Sequence, residues 1–159
     1  MTSDRITVLA GRKTEDAAST ALSLRADILA MTEAASAAVL RPKHPGAFSH
    51  GQRAGLAARI ARLNSNDDLA EHYGQSLSGD DAELVDPSFD GGADERLRAI
   101  LAFTDRIATA PKDASDEDIE SLSNAGLAEA DIVRLTQLNA FLAYEIRLIE
   151  GLRLMGAGA

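Results

Sequence analysis

The chain has 159 residues, enough for one domain with a sizeable core and too few to favour two. Hydrophobic residues make up 45% of it but aromatic residues only 4%, which favours closely packed helices over a β-sandwich. The formal net charge of −9 argues against binding to nucleic acid or to an anionic membrane surface, and the lack of cysteine excludes thiol chemistry.

Residues 1–16 are predicted to form an N-terminal arm that precedes a single domain over residues 17–159. No apolar run approaches the roughly 18 residues that a membrane span requires. The start of the chain is too polar, and its apolar part too short, for a signal peptide. With no cysteine available for disulfides, these features favour a cytoplasmic protein, although a cysteine-free chain is compatible with any compartment.

Apolar residues at helical spacing predict six helices, over residues 17–40, 50–63, 67–77 and 94–108, between Ser115 and Gly126, and over residues 129–155. Two prolines and a glycine in Arg41–Gly46 end the first helix, which has a predicted break near Arg25. Ser49, with Gln52 three residues later, forms a capping-box pattern that begins the second helix. No stretch alternates with a period of two, so the fold class is predicted to be all-α.

Residues 78–93 form the clearest linker, and it lies inside the predicted domain. The segment is acidic, contains three glycines and a proline, and lacks a helical stripe. The final helix is the opposite case, because apolar residues fall on nearly every side of it. Such a helix is either the centre of the fold or part of a subunit interface.

Several segments of the second half resemble a known group, namely Leu101–Ile107, Pro111, Asp116–Glu120, Ala125–Val133 and Gln137–Leu148. They are similar to the second half of AhpD-like proteins, the carboxymuconolactone decarboxylase (CMD) superfamily. Ser49–Tyr73 resembles the core helix pair of that superfamily, so the similarity covers residues 27–155. It is nearest to a cysteine-free branch described only as CMD domain proteins. The resemblance implies an AhpD-like helical bundle that assembles into dimers, trimers or hexamers.

The redox members of this superfamily carry a Cys-x-x-Cys motif at the start of the second core helix. A histidine follows four residues after the second cysteine, and a glutamate lies in the preceding helix. The thiolate attacks the peroxide, the second thiol resolves the sulfenic acid, and the glutamate and histidine relay protons. One ungapped overlay places Asn66 and Leu69 at the cysteine positions, Tyr73 at the histidine and Ala54 at the glutamate.

A second overlay, shifted by one residue, matches His72 to the histidine of the motif. It places Ser65 and Asp68 at the cysteine positions and Arg53 at the glutamate. Both registers lose the two thiols and the relay acid. Peroxidase activity through this site is therefore excluded in either alignment.

The decarboxylase branch naturally lacks the cysteines and keeps a nearby histidine, so the resemblance implies His72 as a candidate general base, with Asp68 beside it at helical spacing. A lone histidine on a helix is more often a packing residue, and carboxylates in a first turn usually interact with the helix dipole. The final helix offers Asn139, Tyr144 and Arg147 as a candidate ligand site, where the Arg147 guanidinium would receive a carboxylate. Packing in the core or at an interface is the alternative explanation.

Three functions are compatible with these residues. The favoured one is a non-redox, oligomeric binding or assembly protein of unknown ligand. The second is a cofactor-free acid/base enzyme of the carboxymuconolactone-decarboxylase type, acting on a small carbonyl or lactone substrate with His72 as base and Arg147 as anion anchor. The third is an inactive companion of a Cys-bearing alkylhydroperoxidase-domain protein. No metal-ligand spacing and no nucleotide loop is present in the sequence, so no metal or other cofactor is expected.

Overall fold

The computed structural model describes residues 5–11 and 22–157, and within them it contains helices but no strand. The α-helices are α1 (Arg5–Leu9), α2 (Ala26–Leu40), α3 (His50–Leu63), α4 (Asp67–Gly74), α5 (Asp80–Glu83), α6 (Glu95–Thr109), α7 (Asp116–Asn124) and α8 (Glu129–Ala157). A short 3₁₀ turn, Pro111–Asp113, connects α6 to α7. The all-α prediction is confirmed, and the described helices pack as a single domain.

Local capping interactions define the helix ends that the sequence predicts. Ser49 Oγ accepts a hydrogen bond from the Gln52 amide at 3.0 Å, and Gln52 Oε1 accepts one from the Ser49 amide at 3.0 Å, so α3 begins at His50 as predicted. Gly126 follows α7 with a φ of +82°, a left-handed conformation that glycine adopts without strain. The capping box predicted at Ser49 is thus confirmed, and α7 lies between Ser115 and Gly126 as predicted.

Two predicted boundaries differ from the structure. The described part of α2 begins at Ala26, directly after the predicted break near Arg25, and residues 17–21 of the predicted helix lie outside the described residues. Helix α4 ends at Gly74 rather than at residue 77. Glycine has a low helix propensity, which accounts for the shorter helix.

Helices α3 and α8 form the centre of the core. Five apolar residues of α3 are almost completely buried, namely Leu56, Ala57, Ala58, Ile60 and Ala61. Helix α8 spans 29 residues and contacts α1, α2, α3, α6 and α7. This helix therefore lies at the centre of the fold, which is one of the two positions predicted for it. Among the described residues, no helix combines the length and hydropathy that crossing a bilayer would require.

Arg53 and Arg59 on α3 are buried, and each holds a loop against the core. Arg53 donates hydrogen bonds to three backbone carbonyls, those of Val39, Pro45 and Phe48, at 2.9, 2.7 and 3.2 Å. These bonds fix the turn between α2 and α3. They also satisfy the donors of this buried cation with backbone carbonyl oxygens.

Arg59 holds the acidic segment predicted to be a linker. Its guanidinium makes two bonds to the Asp105 carboxylate, at 2.6 and 2.7 Å, and donates to the carbonyls of Asp86 and Pro87 at 2.6 and 3.1 Å. Gly55 allows the segment to approach closely, since a Cβ there would lie 2.7 Å from a carbonyl oxygen of α5. Residues 78–93 are therefore packed onto α3 rather than loosely connecting two helices.

Residues 5–11 belong to the predicted N-terminal arm, whose other residues lie outside the described ones. Ile6 of α1 is fully buried in the core, and Ala10 is buried as well. Arg153 near the end of α8 donates a hydrogen bond to the Leu9 carbonyl at 2.9 Å. This short helix thereby brings Arg5 to the edge of a cleft between α2, α3 and α4.

Candidate functional site

A cleft of about 640 Å³ lies between α1, α2, α3, α4 and the segment that follows α4. Ionisable and hydroxyl side chains supply much of its lining, among them Arg5, Glu33, Ser36, His50, His72 and Tyr73. Clefts that combine ionisable groups with apolar walls are the usual places for small-molecule binding. This cleft is therefore the candidate functional site.

Two residues of the cleft lining, Arg5 and Tyr73, contact a buried carboxylate from the central helix. Glu145 on α8 has a side chain that is 0% exposed. The Tyr73 hydroxyl donates a hydrogen bond to Glu145 Oε2 at 2.5 Å, and Nη2 of Arg5 lies 2.5 Å from Glu145 Oε1. Arg5 and Glu145 thus form a close ion pair whose carboxylate is completely buried.

The guanidinium of Arg5 contacts three further acceptors. Nε donates to Glu33 Oε1 at 3.2 Å, Nη1 to the Tyr73 hydroxyl at 3.1 Å and Nη2 to Ser36 Oγ at 3.3 Å. All three nitrogens are thus engaged by side chains from α2, α4 and α8. We refer to Arg5, Glu33, Ser36, Tyr73 and Glu145 as the Glu145 network.

The network keeps its two donors protonated at neutral pH. Burial by itself would lower the pKa of Arg5, but attraction to Tyr73, Glu145 and Glu33 outweighs it, and the pKa is raised above its usual value. Burial raises the pKa of the Tyr73 hydroxyl, and the negative charge of Glu145 raises it further. Arg5 is therefore a cation and Tyr73 a neutral hydrogen-bond donor.

His72 lies on the wall of the cleft at an exposed position, beside the network. Its ring makes an edge contact with the ring of Tyr73, with centroids 5.1 Å apart. Partial burial first, and then the positive charge of Arg5, lowers the pKa of His72 below its ordinary value of 6.5. The imidazole is therefore uncharged at neutral pH and can accept a proton.

Asp68, the predicted partner of His72, shares a shallow surface groove with it at the junction of α1 and α4. Its carboxylate does not contact the imidazole within hydrogen-bonding distance. Instead Asp68 Oδ2 lies 2.5 Å from Nη2 of Arg153, in an exposed ion pair. The structure thus brings the two residues to one face but engages Asp68 with the end of α8.

The three predicted ligand-binding residues of the final helix lie away from the cleft and point to different places. Asn139 is buried and donates to the carbonyl of Leu135 at 3.0 Å, while its Oδ1 has no hydrogen-bond partner among the described residues. The Tyr144 and Thr32 hydroxyls are 2.8 Å apart. Arg147 is exposed and donates to a backbone carbonyl of its own helix at 2.9 Å. They do not form one ligand site.

Neither Arg5 nor Glu145 was predicted from the sequence as a site residue. Glu145 had a detectable signal, because it falls on the same helical stripe as Leu138, Leu142 and Ile149, all of which are buried. A carboxylate at a core position must find a partner. The identity of that partner has no local signal, because Arg5 lies at the opposite end of the chain.

Comparison with known proteins assigns no family to the chain. No family model, no curated protein and no solved structure matches it. Within residues 5–11 and 22–157, no three histidine or carboxylate side chains are grouped as metal ligands. The chemistry of the cleft follows from its own residues, which are a cation, a buried carboxylate, a neutral phenol and an uncharged imidazole.

Proposed function

We propose that this chain is a non-redox protein of the AhpD-like type that binds a small polar molecule in the cleft above the Glu145 network. The observation that supports this most directly is that four members of the network, Arg5, Glu33, Ser36 and Tyr73, line an open cleft. Burying charged groups costs several kcal/mol per ion, and the same volume filled with apolar side chains is often equally stable. Ionisable groups with perturbed pKa values beside a cleft are therefore more typical of a binding site than of a stabilising core.

The positions of the residues that match the AhpD-like motif also support the proposal. In the first overlay, Ala54 and Tyr73 occupy the glutamate and histidine positions, and both line the cleft. Asn66 and Leu69, at the cysteine positions, are buried. In the shifted overlay His72 also lines the cleft, whereas Arg53 at the glutamate position binds the loop after α2. Either register therefore places the histidine position of the motif in the cleft lining.

We also propose that the chain forms a closed homo-oligomer in which the groove between α7 and α8 is the contact between subunits. Apolar side chains of Ile119, Ile132 and Val133 line this groove, and Val133 is 55% exposed. Covering such side chains is favourable by about 25 cal/mol per Å² of apolar surface. We expect Val133→Glu to reduce the mass measured by light scattering, whereas Leu154→Glu, at an exposed apolar residue of the same helix outside the groove, should leave it unchanged. A wild-type monomer at micromolar concentration would refute this part of the proposal.

An acid/base enzyme of the carboxymuconolactone-decarboxylase type is the second candidate. His72 favours it, because the imidazole is uncharged at neutral pH, faces the cleft and lies near the Arg5 cation. Arg5 rather than Arg147 would then be the anion anchor, since Arg147 does not line the cleft. The companion role with a Cys-bearing protein and the cytoplasmic location stay predictions.

The binding proposal can be tested by filling the cleft. Ala54→Leu places a larger side chain in the lining, and Ala102→Leu is the matched control at an exposed position of α6. Native mass spectrometry of the purified proteins should show the same small bound mass on the wild type and on Ala102→Leu, and none on Ala54→Leu. Equal occupancy in all three, or no bound mass together with no thermal shift from small carboxylates, amines or guanidines, would contradict it.

A further inference from the structure

We propose that the acceptors around Arg5 form a binding site for a small molecule that carries a guanidinium group. Arg5 occupies this site from the chain's own N-terminal segment, and the ligand displaces it. The inference rests on the proposed function, because it names the class of ligand that the cleft takes. It also assigns to α1 the role of an internal competitor.

The acceptors match a guanidinium nitrogen by nitrogen. Nε of Arg5 is bound by Glu33, Nη1 by the Tyr73 hydroxyl, and Nη2 by Ser36 and Glu145. These acceptors come from three different helices of the domain and none from α1. A planar group with three separate nitrogens can satisfy them together, whereas an ammonium group presents all its donors on one nitrogen. The site therefore discriminates by geometry as well as by charge.

Arg5 does not make the paired contact that a guanidinium and a carboxylate prefer. Nη2 of Arg5 lies 2.5 Å from Glu145 Oε1, whereas Glu145 Oε2 accepts its hydrogen bond from the Tyr73 hydroxyl. A free guanidinium is not tethered to a helix and can rotate to make two parallel bonds to the carboxylate. An external ligand can therefore contact the same carboxylate without the constraint that α1 places on Arg5.

The segment that carries Arg5 is small enough to be displaced. Helix α1 has five residues, and helices shorter than about 12 residues are marginal without tertiary contacts. The segment is also held by the buried side chains of Ile6 and Ala10 and by the bond from Arg153 to the Leu9 carbonyl. Arg5 borders the cleft, so a ligand can approach the acceptors from there. The nearby side chains of Ala37 and Leu40 would contact an alkyl chain attached to the guanidinium.

The experiment removes the Arg5 guanidinium by substitution and then supplies a guanidinium in solution. Thermal unfolding of Arg5→Ala is measured in millimolar methylguanidinium chloride and, as the matched control, in methylammonium chloride at the same ionic strength. We expect a saturable rise in Tm with methylguanidinium only, equivalent to about an elevenfold larger folding constant at ten times the Kd. Arg5→Ala combined with Glu145→Gln should show no such rise, and the wild type, in which Arg5 competes for the site, should show a smaller one. A rise that is absent, equal with both cations or retained without Glu145 overturns the proposal.

A second measurement on the wild type applies even when Arg5→Ala does not fold. Butylguanidinium, but not butylammonium, should accelerate hydrogen exchange of the amides in residues 5–11 and leave those of α8 unchanged. Unchanged exchange in residues 5–11 overturns the proposal.

The two proposals fail separately. If methylguanidinium raises the Tm of Arg5→Ala but Ala54→Leu keeps its bound mass, the guanidinium site is supported and the cleft function is refuted. If no guanidinium binds while Ala54→Leu loses its bound mass, the cleft function stands and this inference fails.

Discussion

The ion pair between Arg5 and Glu145 should act as one energetic unit, which a double-mutant cycle can measure. Arg5→Met leaves the Glu145 carboxylate, 0% exposed, with the Tyr73 hydroxyl as its remaining contact. Removing one partner of a buried ion pair lowers the free energy of unfolding by about 3–5 kcal/mol. The Arg5 side chain is 17% exposed, and water can partly replace it, so we expect about 3 kcal/mol.

Glu145→Gln should cost less, because the neutral amide keeps the shape and leaves Arg5 bound by Glu33, Ser36 and Tyr73. We expect about 1.5–2 kcal/mol, the lower part of the range for a hydrogen bond to a charged group. Once Glu145 is neutral, no buried charge is left to strand, and Arg5→Met should cost only about 1 kcal/mol more. The coupling energy between the two substitutions is then about 2 kcal/mol.

The measurement is urea unfolding of the wild type, Arg5→Met, Glu145→Gln and the double variant, followed by circular dichroism and extrapolated to water. Equal slopes in the four proteins are needed for the free energies to be compared. If the two single effects add within about 0.5 kcal/mol, the residues are energetically independent. That result would refute the interpretation of the network as a coupled buried cluster.

Three further outcomes are expected. In a Tyr144→Phe background Tyr73 is the single tyrosine and the chain has no tryptophan, so ultraviolet absorbance follows its ionisation. Because the pKa of Tyr73 is raised in the folded protein, its hydroxyl stabilises the fold below about pH 10, and this contribution is lost as the pH rises above that value. A titration midpoint of Tyr73 at or below about pH 10 would contradict the raised pKa. Arg59→Met should lower the free energy of unfolding in urea by about 3 kcal/mol and exposed Arg62→Met by less than about 0.5, whereas equal losses would argue against loop anchoring. His72 binds protons more weakly in the folded protein than in the unfolded chain, so its contribution falls as pH drops below about 6.5; His72→Gln should flatten that part of the pH–stability curve, and an unchanged slope would contradict the lowered pKa.

Much of the fold was predictable because the signals lie within a few residues of each other. The capping box at Ser49 and the start of α7 directly after Ser115 each involve neighbours in sequence, and each was found where predicted. The segment 78–93 was harder, because its acidic and glycine-rich sequence looks like a free connection. Its attachment depends on Arg59, whose polar end gave no sign in the sequence of being buried.

The candidate site was predictable only in part. His72 was identified as the candidate base, and it does line the cleft. Asn139, Tyr144 and Arg147 are close in sequence on α8, but successive positions on a helix turn by about 100°, so they reach the core, α2 and solvent respectively. Sequence proximity on one helix was therefore a poor guide to a shared pocket.

The sequence by itself determined the helical class, most helix ends and the absence of thiol chemistry, because these depend on composition, periodicity and short-range hydrogen bonds. The tertiary structure alone decided that Arg5 from the first helix meets Glu145 from the last, above Tyr73. A buried carboxylate requires a partner, but any of the sixteen lysines and arginines could have supplied the positive charge. The packing of α1 between α2, α4 and α8 selects that one and leaves the cleft open beside it.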